Sequence, residues 1–274
     1  MKIFQTLKSK YSNYYGKLQR NKMLPIKIRE EIIKEINDGT SINKISKKLN
    51  ISKSTIHNYY RKIKGKKYKD SSFIVNFSEN EGEIVGIFTG DGSQHGDIPH
   101  GNYKTNIHFG SNLDYVNHVK NLYDTYFNKS WSIYKEFPKG YNMKYRLNAV
   151  NKKIFNYFLN YLIYKRETKH DTVKLKTLNL PKNFKIGFLR GLVDTDGTVC
   201  KYDNRIRVIY YTTSKILAKQ INLLLKDFQI KSGVYITKKE GYKDLYMVQL
   251  SQKDVIKFLK IIKPYKQKRI GPIV

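Results

Sequence analysis

Two stretches of similar sequence decide the fold of this chain: IVGIFTGDG, residues 84–92, and LRGLVDTDG, residues 189–197. Each is an apolar run of helical character that ends on an Asp-Gly pair. In the first stretch Gly86 and Gly90 lie one helical turn apart, and the second repeats this pattern with a glycine and a threonine. Because each glycine costs about 1 kcal/mol relative to alanine inside a helix, the bare faces predict that the two helices pack closely against each other.

Such packing brings two acids together, Asp91 and Asp196, at the ends of the paired helices. Each carboxylate then faces the negative end of its own helix dipole and also the other carboxylate. A cation is needed to offset this charge, and Mg²⁺ prefers a few carboxylates together with substrate phosphate and water. Such ions activate water and stabilise the leaving oxygen in phosphodiester cleavage. The sequence therefore predicts a site for Mg²⁺ or another divalent cation at Asp91, Asp196, Gly90 and Thr195.

Composition points to a polyanionic partner. The 274 residues carry 53 Lys and Arg against 22 Asp and Glu, a net charge of +31, which is far more than solubility requires. A biased codon usage explains the choice of Lys over Arg, but it does not explain the shortage of acids. The single Cys200 excludes an internal disulfide framework, and no apolar run approaches the roughly 18 residues of a membrane span.

The N-terminal part, residues 1–66, is predicted to be a basic arm followed by a small all-α domain. A stripe of isoleucines predicts a helix over residues 27–37, and Ser41 and Ser52 are placed to cap two further short helices. The inward face of the first helix comprises Ile28, Ile32, Ile33 and Ile36. Three short helices with a tight turn before the last resemble a helix-turn-helix; the alternative is an ordinary helical bundle. The resemblance implies that the third helix presents to DNA the side chains of Lys53, Ser54, His57, Asn58 and Arg61.

Beyond a polar linker at residues 65–72, the chain repeats the order helix, two strands, helix, two strands, helix. A shift of 105 residues aligns Asp91 with Asp196. We therefore predict an α+β fold in which residues 67–182 and 183–274 are two tandem αββαββα repeats, each with an antiparallel sheet, related by a pseudo-twofold axis. The closing helix of the first repeat is predicted over residues 152–164.

The paired motifs resemble those of the LAGLIDADG homing endonuclease family, specifically its monomeric members with two motifs. LRGLVDTDG is a close match to the family motif, and IVGIFTGDG is a looser one in which Thr89 and Gly90 replace the usual residues. The resemblance implies that Asp91 and Asp196 are metal-binding catalytic acids and that the sheets form a saddle over the DNA major groove. It also implies that Asp194 caps or packs at the interface and is not a ligand.

The family also places a basic residue near each active site. Aligning FLNYLIYKRETK with FLKIIKPYKQKR proposes Lys165 or Lys169 for the first repeat, and Lys266 or Lys268 for the second. Solvated or phosphate-facing lysines are the alternative. Gln94, just after the first motif, is a candidate to orient water or to contact DNA. Strand residues predicted to contact DNA are Lys104, Asn106, Arg146, Arg205, Arg207 and Lys238.

These features predict a Mg²⁺-dependent, site-specific double-strand DNA endonuclease that makes a staggered cut. We expect an intracellular monomer, in the cytoplasm, nucleoid or an organelle, that does not bind membranes. A free-standing protein and one encoded within an intron are both compatible with the sequence. The alternatives are a non-cleaving DNA-binding transcription regulator of the same fold, and a maturase that binds intron RNA. The scattered histidines have no cysteine partners, so zinc is not expected.

Overall fold

A computed structural model gives the protein as two compact units, residues 1–72 and 73–274. The predicted basic arm and the linker at residues 65–72 lie outside the described residues. The boundary predicted at residue 182 stays a prediction. The described residues are 24–64, 73, 75–97, 102–140, 142–203 and 205–271.

The first unit consists, in its described part, of three helices: α1 (Ile26–Asn37), α2 (Ile42–Leu49) and α3 (Lys53–Lys64). Ser41 accepts the N–H of Lys44 at the start of α2, and Ser52 accepts the N–H of Thr55 at the start of α3. The turn between them passes through Asn50, whose φ is +53°. The core comprises Ile32, Ile36, Ile45, Ile51 and Ile56.

One part of the predicted stripe in α1 is wrong, because Ile33 is 39% exposed. Ile32 and Ile36 lie one turn apart and point into the core. Ile33 follows Ile32 directly and is therefore rotated by about 100° onto the edge of the helix. Isoleucine at this position reflects composition and not burial.

The second unit has the two predicted repeats. Its first repeat comprises α4 (Glu79–Asp91), β1 (Gly92–Asp97), β2 (Asn102–Phe109), α5 (Leu113–Phe127), β3 (Ser132–Glu136), β4 (Lys144–Val150) and α6 (Lys152–Tyr157). A short connection follows, made of a 3₁₀ turn (Phe158–Asn160), β5 (Leu162–Ile163), α7 (Lys169–Thr172) and β6 (Lys174–Leu175). The second repeat comprises α8 (Lys182–Asp196), β7 (Gly197–Tyr202), β8 (Arg205–Thr212), α9 (Lys215–Lys226), β9 (Ser232–Thr237), β10 (Leu245–Leu250), α10 (Val255–Ile262) and a final 3₁₀ helix (Tyr265–Ile270).

Both sheets are antiparallel and have equivalent strand orders, β1-β2-β4-β3 and β7-β8-β10-β9. Alternate strand residues such as Ile107, Leu147, Val208 and Val248 are buried against the helices, which leaves the opposite face of each sheet outward. The fold class is therefore the predicted α+β arrangement. The predicted closing helix over residues 152–164 is wrong in length, since α6 ends at Tyr157 and the chain then pairs β5 with β6.

Glycines allow α4 and α8 to pack backbone against backbone, as predicted. A Cβ added to Gly86 would lie 3.0 Å from the backbone N of Leu192, and one added to Gly191 would lie 2.7 Å from the backbone N of Ile87. The same holds one turn earlier, where a Cβ on Gly187 would lie 2.7 Å from the backbone N of Glu83. No larger residue fits these positions unless the helices separate.

Buried polar groups fix the N-terminal half of the helix pair. Arg190 on α8 donates to the carboxylates of Glu79 and Glu83 on α4, the latter at 3.0 Å. Fully buried Glu81 accepts the hydroxyls of Tyr126 and Tyr157 at 2.7 and 2.8 Å. The bonds of Arg190 hold the helices of the two repeats in register, and those of Glu81 attach α4 to the other helices of its own repeat. Among the described helices, none has the length and hydropathy needed to cross a bilayer.

Candidate active site

The C-terminal ends of α4 and α8 carry Asp91 and Asp196, and both acids are half-buried. Gly90 marks how closely the two ends approach. A Cβ added to it would lie 2.8 Å from Thr195 Cβ and 3.2 Å from the carboxylate carbon of Asp196. The carboxylate of the second repeat therefore lies against the last turn of the helix that ends in Asp91.

A buried lysine caps the end of α4. Lys169, the first residue of α7, is 8% exposed and donates from Nζ to the backbone oxygens of Phe88, Thr89 and Gly90 at 3.0, 2.6 and 3.0 Å. The carbonyl of Phe88 also accepts the backbone N–H of Gly92, so the ammonium of Lys169 adds a second donor there and supplies a donor to the last carbonyls of the helix. The positive charge also opposes the negative end of the helix dipole beside Asp91.

The end of α8 is capped in the same way by Lys266, which lies in the final 3₁₀ helix. Its Nζ donates to the backbone oxygens of Val193, Thr195 and Gly197 at 3.2, 3.1 and 2.6 Å. The two repeats thus build equivalent constellations of one acid and one lysine around each helix end. Part of the positive charge that offsets the two acids is therefore supplied by the chain itself.

These four groups perturb one another. The pKa of Asp91 is raised to about 7, chiefly by burial and next by the Asp196 carboxylate, while Lys169 and Lys266 act in the opposite direction. Burial also raises the pKa of Asp196, again against the two lysines. The pKa of Lys169 is lowered to about 8 by burial, against the pull of both acids. Such mutually shifted groups in one cleft are typical of a functional site.

Two of the predicted basic residues do not reach this site. Lys165 is exposed, and its backbone N–H donates to Thr172 Oγ1 at 2.9 Å. Lys268 is exposed, with its ammonium 4.1 Å from the ring centroid of Tyr265. The structure brings Lys169 and Lys266 together with the acids instead, so the choice of Lys165 and Lys268 is corrected.

Gln94 also differs from its prediction, because it is 7% exposed and its amide is engaged within the first repeat. Its Nε2 donates to the backbone oxygen of Phe155 at 2.5 Å, and its Oε1 accepts the Tyr164 hydroxyl at 2.7 Å. Gln94 therefore ties β1 to the connection that follows α6. This is a structural role, and water or DNA would have to displace these bonds to reach the amide.

The carbonyls of Gly90 and Thr195, predicted at the metal site, accept hydrogen bonds from Lys169 and Lys266. Within the described part of the chain, no group of three or more His, Cys, Asp or Glu residues is arranged to hold a metal. The site thus offers two carboxylates, and a cation there would need further oxygen ligands from phosphate and water.

An open cleft of about 230 Å³ leads to the second acid, and its lining includes Gly90, His170, Asp196 and Tyr211. Tyr211 belongs to β8, where it shares the outward face of the second sheet with Arg205 and Arg207. The cleft is large enough to admit a phosphodiester group. It therefore connects Asp196 with the outward face of the second sheet.

The outward faces of the sheets carry some of the residues predicted to contact DNA. Lys104, Arg205 and Arg207 are exposed there, and Lys238 is exposed just beyond β9. The guanidinium of Arg207 lies 4.6 Å from the ring centroid of Tyr202, which orients it across the sheet.

Of the two other strand predictions, one is corrected and one stays a prediction. Asn106 is 1% exposed and its Oδ1 accepts from Asn148 Nδ2 at 2.7 Å, so its side chain is buried on the outward face. Arg146 pairs with Glu136, with Nε 2.8 Å from Oε1, and is only partly exposed. The Asn106 side chain is therefore committed to another residue of the sheet, whereas contact of the partly exposed Arg146 with DNA stays a prediction.

In the three-helix unit, the predicted side chains of α3 are all exposed: Lys53, Ser54, His57, Asn58 and Arg61. Ile56, on the opposite face, is fully buried. The helix therefore offers a polar, basic surface, and its contact with DNA stays a prediction.

Comparisons with known proteins identify relatives of this fold. The family model of the LAGLIDADG-like domain matches residues 183–263. The chain is similar to structures of mesophilic variants of the homing endonuclease I-DmoI, with 20% identity, 70% of this chain and 99% of that chain covered, and a TM-score of 0.52. It is also similar to I-DmoI in complex with DNA and Ca, with 19% identity, coverage of 70% and 93%, and a TM-score of 0.53.

A further similar structure is the homing endonuclease I-WcaI bound to its DNA recognition sequence, with 13% identity, coverage of 76% and 97%, and a TM-score of 0.51. A sequence search of curated proteins gives no match.

Proposed function

Because the second unit has the fold of the LAGLIDADG homing endonucleases, we propose that this chain is a metal-dependent, site-specific double-strand DNA endonuclease. The observation that carries the proposal is the meeting of Asp91 and Asp196 at two helix ends, each beside a lysine cap. A core helix pair needs no acids at this point, and burying them is unfavourable. Their retention in both repeats is explained by chemistry on a phosphodiester.

The donor set fits a divalent cation. Asp91 and Asp196 supply hard carboxylate oxygens, and burial raises the pKa of each acid, so a bound cation would favour their ionised forms. These two residues would hold the ion, with phosphate and water completing its ligands. When bound, a cation such as Mg²⁺ supplies charge neutralisation at the scissile phosphate and acidifies water.

The lysines supply positive charge that does not depend on metal. Lys169 and Lys266 are fixed by three carbonyl groups each, so their ammonium groups need no reorganisation when a phosphate arrives. Lys169 keeps its proton below a pH of about 8 and then stabilises negative charge on the reacting phosphate. Each repeat supplies one acid and one lysine, and each such pair would act on one of the two DNA strands. A single chain could then cut both DNA strands.

DNA binding is assigned to the outward sheet faces and to α3. Exposed Lys104, Arg205 and Arg207 lie where they can neutralise backbone phosphates, and the net charge of +31 adds long-range attraction. Since both repeats are in one chain, we propose that a monomer makes both cuts.

The test is cleavage of a randomised double-stranded DNA library by the full chain with Mg²⁺, followed by sequencing of the ends. We expect ends that share one sequence, with a constant stagger between strands. The matched control carries Asp91→Asn and Asp196→Asn and should bind the selected DNA without cutting it. No ends above the control, or ends without a shared sequence, would contradict the proposal.

A second candidate is a DNA-binding regulator that does not cleave, and the polar surface of α3 favours it. In that case the library would yield bound but uncut sequences, and the control would behave like the wild type. Tighter binding of intron RNA than of DNA at matched salt would instead indicate a maturase.

A further inference from the structure

The second repeat contains a third acid, Asp194, that the chemistry above does not use. It is 4% exposed, and its Oδ2 and Oδ1 accept the backbone N–H groups of Tyr265 and Lys266 at 2.8 and 2.9 Å. Both donors belong to the first turn of the final 3₁₀ helix, where N–H groups have no partner within the helix. The carboxylate therefore attaches this segment to α8.

The side chain of Lys266, in the same 3₁₀ segment, also contacts α8. Lys266 Nζ donates to the backbone oxygen of Thr195, the residue directly after Asp194. The main chain and the ammonium of Lys266 are thus both anchored within the last turn of α8. Arg190, one turn earlier, donates from Nε to the backbone oxygen of Ile262 at 2.7 Å, which holds the approach to this segment.

The first repeat solves the same problem differently. Its residue at the position of Asp194 is Thr89, whose Oγ1 donates to the backbone oxygen of Val85 at 2.7 Å within α4. Lys169 lies on α7, which the chain reaches through the β5–β6 connection, and is itself buried. Two of the three carbonyl groups that each lysine contacts are at equivalent positions of the repeats, but the lysines are held in place differently.

We propose that Asp194 is the positioning residue of Lys266, so that the repeat containing Lys266 depends on a carboxylate that has no counterpart at Thr89. The strand-specific part of this inference rests on the proposed nuclease function. The positional part concerns the apo protein alone. Loss of the carboxylate frees the first turn of the 3₁₀ helix and lets the ammonium move away from the end of α8.

Position is measured first, without any cleavage. The full chain is treated briefly with acetic anhydride, and the acetylation of each lysine is quantified by mass spectrometry. In Asp194→Asn we expect acetylation of Lys266 to increase at least threefold, while that of Lys169 stays within the wild-type error. An unchanged rate at Lys266 would overturn the positioning role whether or not the protein is a nuclease.

Strand specificity is measured next on the selected DNA, with each strand labelled separately. Lys266→Met identifies the strand that depends on Lys266. Asp194→Asn should slow that same strand by roughly tenfold to a hundredfold, because a displacement of about 1 Å costs this much, and nicked DNA should accumulate. The other strand should stay within twofold of the wild type.

Tyr210→Phe is the matched control, because it removes a buried hydroxyl that donates to the Leu189 oxygen of the same helix at 3.1 Å. It should leave the ratio of the two strand rates unchanged. If Asp194→Asn does not fold, Asp194→Thr, which introduces the residue type of the first repeat, serves in its place. Equal slowing of both strands, or slowing of the strand that Lys266 does not serve, would overturn the inference. A wild type that cuts neither strand would instead refute the nuclease proposal.

Discussion

Removing the charge of Asp91 should stabilise the metal-free protein at alkaline pH. The pKa of this acid rises from 3.8 to about 7 in the folded state, so folding favours its neutral form. At pH 3 the acid is mostly neutral in both states and costs little, at pH 4 the cost is still only about 0.5 kcal/mol, and the cost grows until the pH passes about 7. At about 1.4 kcal/mol per pH unit, the interval gives at most about 4 kcal/mol. Partial solvent contact reduces this to about 2 kcal/mol.

Asp91→Asn has the same shape and no charge, and the opposing lysines are already included in the raised pKa. We therefore expect its free energy of unfolding at pH 8, without divalent cations, to exceed that of the wild type by about 2 kcal/mol. At pH 4 the two proteins should differ by no more than about 0.5 kcal/mol. The assay is urea unfolding followed through the fluorescence of Trp131, which is 1% exposed.

Asp203→Asn is the control, since it makes the same change in net charge at an exposed turn between β7 and β8. Its φ of +46° suits asparagine, so little change is expected at either pH. A stabilisation of Asp91→Asn that is equally large at pH 4 and pH 8 would refute the electrostatic explanation. So would an absence of any gain at pH 8.

Three further predictions concern packing, charge and DNA. Gly191→Ala places a Cβ 2.7 Å from a backbone nitrogen of the facing helix and should lower the free energy of unfolding by about 1–3 kcal/mol in urea titrations. Gly110→Ala, whose Cβ meets open space, should change it by less than about 0.5 kcal/mol. Equal effects of the two substitutions would contradict the close contact. In the wild type we expect cleavage of one strand to slow as the pH rises through about 8, because Lys169 then loses its ammonium proton. Lys169→Met should cleave that strand more slowly at all pH values and should not show this fall. A fall that persists in the variant would exclude Lys169 as its cause. Replacing Arg205 and Arg207 by alanine should reduce the slope of log affinity against log salt by roughly 2 in binding titrations, and an unchanged slope would show that neither contacts phosphate.

The helix pair and its acids could be predicted because their signal is local. Glycines one turn apart that precede an acid need only the geometry of a single helix to be interpreted, and the duplication supplies the partner. The sheets could be predicted from alternation for the same reason. The burial of Asn106 could not be predicted, because it depends on Asn148 in the neighbouring strand. The register between these two strands is set by turns that are distant in sequence.

Sequence comparison could not identify which lysine of the first repeat lies at the active site. From Phe258 to Lys266 there are eight positions, and from Phe158 to Lys169 there are eleven, so the first repeat contains three more residues before its lysine. Aligning the tails without a gap leaves Lys165 and Lys169 equally plausible. Only the pairing of β5 with β6 brings α7 beneath the end of α4, and strands of two residues leave almost no trace in sequence.

The unusual first motif, with Thr89 and Gly90, is explained by packing and not by decay of its repeat. Gly90 on α4 packs directly against Thr195 and the Asp196 carboxylate of α8. The small residue on one helix thus leaves room for the larger ones on the other. A side chain at Gly90 would push Asp196 away from Asp91 as well as separating the helices. The departure from the motif therefore keeps the two acids together, and the lysine cap on the backbone oxygens of Thr89 and Gly90 shows that the first repeat retains the same constellation as the second.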